Sequence, residues 1–215
     1  MKVAVVNEVS QKSKNKYVIN ALEKYSAQYG YEVINAGMTG VGEETELSYI
    51  HTGLISALLL NSGAADYVLG GCGTGQGYLN SVMQYPGVFC GLINEPLDAW
   101  LFRQINGGNC LSLALAKGFG WAGEINVEWI VEKFFGVESG AGFPADRKAP
   151  QKVYRDRLTE ISTSIKKTMP EILRVFPYEE LKTAMEFPGV FDKIKTGPKS
   201  AELVEIINKR LAEGK

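Results

Sequence analysis

Residues 70–77 read Gly-Gly-Cys-Gly-Thr-Gly-Gln-Gly, five glycines in eight positions, directly after a β-type run over 66–70. Glycine lets successive backbone N–H groups converge on an anion, and a helix opening behind them adds the positive end of its dipole. Cys72 stands inside this loop, at the strand's end. A thiol surrounded by amide donors is biased toward thiolate, the form that acts as nucleophile or base, whereas at an ordinary strand end it is an inert small hydrophobe. Two nucleotide-binding loops are disfavoured by spacing. A GxxxxGK[ST] loop needs a lysine, and none is near. Gly73-Thr-Gly75-Gln-Gly77 lacks the GxGxxG spacing and follows the third strand rather than the first.

The rest of the inventory is sparse. His51 is the one histidine, and the three cysteines (Cys72, Cys90, Cys110) show no CxxC spacing. A His-rich zinc site is excluded, no cofactor is implied, and any Cys-His machinery must use His51. Cys90 and Cys110 lie in apolar strands and read as core. Residues 1–102 hold five Lys/Arg against nine Asp/Glu, and 103–215 hold eighteen against fifteen. With no Lys or Arg between Tyr25 and Phe102, the N-terminal half offers no surface for a nucleic-acid backbone. The stretch Lys12-Ser-Lys14-Asn-Lys16 reads as a solvated helix start, or as a lysine placed to steer an anion. Trp100, Trp121 and Trp129 read as core or subunit contact, although one aromatic near Gly118-Phe-Gly-Trp121 is in place to line a pocket.

These residues need elements to hold them. Strand-like runs at 1–6, 31–35, 66–70, 87–93 and 110–115 alternate with helical spacing over 17–30, 50–63, 78–83, 95–105 and 127–135. That rhythm predicts a Rossmann-like α/β/α domain around a five-stranded parallel sheet, with ligands beyond the carboxyl ends of the strands. After residue 140 the strand signal stops. A helix is expected over 151–169, then short helices broken by Pro170, Pro177, Pro188 and Pro198. The division is a domain over 1–165 and a helical C-terminal extension over 166–215, packed on that domain or on a partner subunit. No apolar run approaches the roughly 18 residues needed to span a bilayer, and no signal-peptide plan is present, so a soluble cytoplasmic protein is expected.

The run 66–77, Asp-Tyr-Val-Leu-Gly-Gly-Cys-Gly-Thr-Gly-Gln-Gly, resembles the active-site loop of the type B ribose-5-phosphate isomerase and galactose-6-phosphate isomerase family. Pro86-Gly-Val-Phe-Cys-Gly91 and Asn94-Glu-Pro…Arg103-Gln-Ile-Asn106…Asn109 extend the likeness over roughly residues 1–160. The resemblance implies aldose–ketose isomerisation of a phosphosugar through an enediolate, in a homodimer or dimer of dimers with active sites at the subunit interface. It makes Cys72 the base that moves a proton between C1 and C2. It makes the amides of Gly73, Gly75, Gln76 and Gly77 the hole for the enediolate oxygen, with Thr74 positioning thiol or substrate. Some members use a glutamate just past the loop as base, and Tyr78 stands there instead.

Where the family shows Asp-His after the first strand, this chain has Asn7-Glu8, with Glu8 a candidate for binding hydroxyls. The family's ring-opening histidine before Asn106 is Ile105. Its Asp-Tyr-Pro-His segment becomes Glu46-Leu-Ser-Tyr49, so ring opening would fall to His51. Phosphate would be held by Arg103, Arg147, Arg155 or Arg157, partly across the interface, and hydroxyls by Asn106 and Asn109. Two other classes remain open: a sugar-phosphate binding or regulatory protein on the same scaffold, and a cysteine-nucleophile enzyme whose thiolate His51 orients.

Overall fold

The computed structural model describes residues 1–214. Strands β1 (Lys2–Asn7), β2 (Glu32–Asn35), β3 (Tyr67–Cys72), β4 (Cys90–Ile93) and β5 (Cys110–Ala114) form one parallel sheet in the order β2-β1-β3-β5-β4. Alternation along the strands sends Val3, Val5 and Leu69 to one face and Ala4, Val6 and Val68 to the other. The first face is covered by α1 (Asn15–Tyr29), α4 (Pro96–Leu101) and α5 (Gly123–Phe135), the second by α2 (Tyr49–Ser62) and α3 (Gln76–Val82). This is the expected three-layer α/β/α domain. The chain winds outward from β1 in both directions, so the carboxyl ends of β1 and β3 flank the switch point where such folds open a ligand crevice.

Capping chemistry sets the boundaries. A 3₁₀ turn over Val9–Lys14 precedes α1 and is capped by Glu8, whose carboxylate accepts from the Ser10 N–H at 3.0 Å. Ser48 caps α2, its hydroxyl accepting from the Ile50 N–H. Past the sheet come α6 (Lys148–Ile165), α7 (Met169–Val175), α8 (Tyr178–Glu186), α9 (Val190–Lys195) and α10 (Ala201–Glu213). The single helix expected over 151–169 is two. Lys166 is extended at φ −95°, ψ 143°, and Thr168 opens α7 by accepting from Glu171 N while Pro170 sits in the first turn.

Helices α7–α10 fold back onto α2. Met169, Leu173, Leu181, Phe187 and Ile194 join the core that holds Leu54 and Leu58. Gly197 lies so close to the end of α2 that a β-carbon there would stand 2.3 Å from the Ser62 carbonyl oxygen. Helix α6 buries nothing. Two of the tryptophans expected in a core or contact lie open on this chain, Trp121 fully so, because each sits where α5 begins or faces solvent. Among the described residues no helix is long and apolar enough to cross a membrane.

Candidate active site

Cys72 is the last residue of β3 and only 7% exposed. Its side chain belongs to the α2/α3 face. The loop behind it is pinned to the chain leaving β5. The Cys72 carbonyl accepts from Leu115 N at 3.0 Å, and the Gly73 carbonyl from Ala116 N and Lys117 N at 3.0 and 2.8 Å. Gly75 adopts φ +74°, and a β-carbon there would stand 2.5 Å from Leu92 Cδ1. Only glycine meets both demands.

Two of the four amides expected to line the anion hole are already engaged. Gly75 N donates to the Cys72 carbonyl at 3.3 Å, and Gln76 N to Thr74 Oγ1 at 3.3 Å, because the loop closes as a tight turn on its own strand. Thr74 thus positions the loop through Gln76. The N–H groups of Gly73, Thr74 and Gly77 have no acceptor among the described residues. Tyr49, at the start of α2, lies against Gly77, its ring 3.1 Å from where a β-carbon would be.

The β1 side of the crevice is polar and buried. Asn7 is fully buried, donates to the Gln11 carbonyl at 3.4 Å, and leaves its Oδ1 without a partner among the described residues. Glu8 is 5% exposed and takes the Ser10 hydroxyl as well as its N–H. Gln11 extends over the loop, its Nε2 standing 3.7 Å from the β-carbon position of Gly73. Sequence reasoning passed over Gln11 and Tyr49. The available signal was position, since each lies a few residues past a boundary at the ligand-bearing edge.

His51 is placed otherwise than expected. Its Nδ1 accepts from Ser48 N–H at 2.9 Å in the α2 cap, which puts the ring proton on Nε2, and Nε2 faces Glu180 Oε2 of α8 at 2.5 Å. With both nitrogens engaged, His51 neither orients the Cys72 thiol nor reaches for a sugar ring. The reading of a His-oriented cysteine nucleophile loses its histidine.

The arginines are also elsewhere. Arg103 is buried, its guanidinium 4.5 Å from the Tyr67 ring centroid and 4.8 Å from that of Phe134, with Nε donating to Val137 O at 3.4 Å. It lies within the π-helical turn Phe102–Asn106, and its Nη1 is buried without a partner among the described residues. Arg155 donates to the carbonyls of Ile105 at 2.8 Å and Gly140 at 3.1 Å, holding that turn against α6. Arg147 and Arg157 are exposed, Arg157 lying 3.7 Å from Glu160. Asn109 is structural, bonded to Phe89 N at 2.9 Å and Gly87 O at 2.8 Å.

Asn106 and Arg155 instead line a half-open cavity of about 480 Å³ with Phe89, Cys90, Phe102, Tyr154 and Leu158. Cys90 is therefore only half-buried, not core, because it begins the edge strand. This cavity lies at the amino ends of β4 and β5, and Cys72 at the carboxyl end of β3. Cys110 pairs with Val68, four residues before Cys72, so the two places are about 13 Å apart along the sheet. Within one chain they do not meet.

The fold defines a doubly wound α/β domain with a thiol at the start of a glycine loop beside its switch point. The sequence matches the Ribose/Galactose Isomerase family over residues 3–149, and the chain belongs to that family of sugar isomerases. It is 38% identical to a 4-deoxy-L-threo-5-hexosulose-uronate ketol-isomerase crystallised with a tartrate, with a TM-score of 0.94 over 99% of this chain and 100% of that one. It is 42% identical to a ribose-5-phosphate isomerase from Vibrio parahaemolyticus, with a TM-score of 0.92 over 98% and 99%. The type B ribose 5-phosphate isomerase of Leishmania infantum, 19% identical, shares the fold at a TM-score of 0.62 over 76% of this chain. No curated protein matches the chain significantly.

Proposed function

We propose that this chain interconverts an aldose and a ketose of a phosphorylated pentose or hexose through a cis-enediolate, with Cys72 as the base. The thiolate takes the proton from C2 of the aldose, the developing negative charge on oxygen is met by N–H groups of the loop, and the same thiol returns the proton to C1. An anion hole stabilises charge present only in the transition state, so it acts on kcat. The observation that carries the reading is the position of Cys72: strand end, switch point, beside three N–H groups with no acceptor among the described residues.

We further propose that the working unit is a homodimer. Asn106 and the cavity beside it lie at the opposite end of the sheet from Cys72, and α6 leaves Tyr154, Leu158, Ile161 and Ile165 exposed. A second copy seated on this face would bring Asn106 and the exposed Arg147 or Arg157 to a Cys72 loop, completing a site that neither chain holds alone. No cation lies in residues 70–77 themselves; Lys117 borders them, its backbone N–H donating to the Gly73 carbonyl at 2.8 Å.

One observation favours a second substrate. The residue before Asn106 is Ile105, and His51 is engaged elsewhere, so no imidazole is on hand to open a sugar ring. The dicarbonyl uronate named for the ketol-isomerase relative has a ketone at C5 and no hydroxyl at C4, and so cannot close the usual ring on C1. Its carboxylate would take the place of phosphate. Turnover of ribose 5-phosphate and of 4-deoxy-L-threo-5-hexosulose uronate, measured side by side, separates the two. Turnover of neither, with no deuterium exchange at C2 across a panel of pentose and hexose phosphates, would leave only a binding role.

A further inference from the structure

We propose that Gln11 is an additional donor to the enediolate oxygen and that Lys14 is the residue that positions it, an inference resting on the isomerase reading of the Cys72 loop. The need comes from the loop itself. Gly75 N and Gln76 N are both engaged internally, so the hole has fewer amides than its glycine count suggests.

Gln11 is placed to make up the loss. It is 7% exposed, and its Nε2 stands 3.7 Å from the point a β-carbon on Gly73 would occupy, beside the residue that carries the thiol. An amide can face either way, and here its orientation is fixed from both ends. Lys14 Nζ donates to Gln11 Oε1 at 3.0 Å, which requires the oxygen on that side. Gln11 Nε2 then donates one hydrogen to Ser10 Oγ at 3.1 Å, while the Ser10 hydroxyl donates to Glu8. The second Nε2 hydrogen has no acceptor among the described residues. The ammonium on Oε1 draws electron density from the amide, so that free N–H is a stronger donor than an ordinary glutamine supplies. The Lys14 ammonium is itself held 4.9 Å from the Phe119 ring centroid.

A donor that strengthens as charge develops acts on the rate more than on ground-state binding. Steady-state kinetics on ribose 5-phosphate and on 4-deoxy-L-threo-5-hexosulose uronate should show Gln11→Met lowering kcat roughly 100-fold while KM stays within about threefold. Lys14→Met should lower kcat about tenfold, and Lys14→Arg should restore most of it, since a purely structural lysine would show in the melting temperature and not in this split. An unchanged kcat in Gln11→Met, or a raised KM with kcat intact, overturns the proposal. Should Gln11→Met fail to fold, a correctly melting Lys14→Met with wild-type kcat overturns it equally. Failure of the underlying reading looks different: the wild-type chain then turns over neither substrate.

Discussion

Tyr78 shows how one side chain settles a chemical role. It follows the glycine loop at the place where the family resemblance would put an alternative base, yet it is fully buried and its hydroxyl donates to Ser56 Oγ at 2.7 Å. Burial pushes its ionisation well above the ordinary tyrosine value, with the neighbouring Cys110 adding to the effect, so the phenol stays neutral and does no proton transfer. Its ring lies over Gly70, where a β-carbon would be 2.1 Å from Cζ. Gly70→Ala should therefore cost about 1–3 kcal/mol and displace the first turn of α3; a thermal melt and a parallel activity assay read both effects. The Cys72 loop was legible in sequence because its glycines and thiol are consecutive. The arginines were not. What Arg103 and Arg155 touch is decided by Tyr67, Phe134, Ile105 and Gly140, residues up to several tens of positions away, and a pattern of arginines on a helix carries no trace of those partners.

At the scale of elements, α2 is the one that ties the site to the extension. Its fourteen residues hold no Asp, Glu, Lys or Arg, and it is buried against the sheet on one side and α8 and α9 on the other. A helix apolar all round requires cover on both faces, and that was the sequence signal for where the extension packs. The alternation of strands and helices gave the sheet domain directly. The break at 166–168 escaped a periodicity reading, since α6 and α7 share apolar spacing and only the Thr168–Glu171 capping pair separates them. His51 joins the start of α2 to Glu180, so His51→Ala should lower the melting temperature far more than it lowers kcat. Retained stability with lost turnover would return His51 to the chemistry. Glu171 has its pKa held below 4.5 by hydrogen bonds from the Thr168 hydroxyl and N–H. A lowered carboxylate pKa stabilises the fold above the unfolded value and ceases to as pH falls through the folded one. Thr168→Ala should therefore destabilise the fold more near neutrality than in acid, as denaturant melts at the two pH values would show.

At the scale of the whole molecule, the proposed site is divided between two ends of one sheet and would be completed by a second copy. Asn106 lines the cavity at the amino ends of β4 and β5, whereas Cys72 ends β3, and the exposed apolar face of α6 borders that cavity through Tyr154 and Leu158. Leu158→Glu should leave the far-ultraviolet spectrum intact, shift sedimentation to the monomer and remove turnover. A monomer with full activity would contradict the shared site. The central claim is that Cys72 moves the proton between C1 and C2. It is tested most directly by following deuterium from solvent into C2 of the aldose with wild-type and Cys72→Ala chains, at equal concentration and with matching melting curves. Exchange in step with turnover is expected in the wild type and none above background in Cys72→Ala; exchange at an unchanged rate in that variant would remove Cys72 as the base.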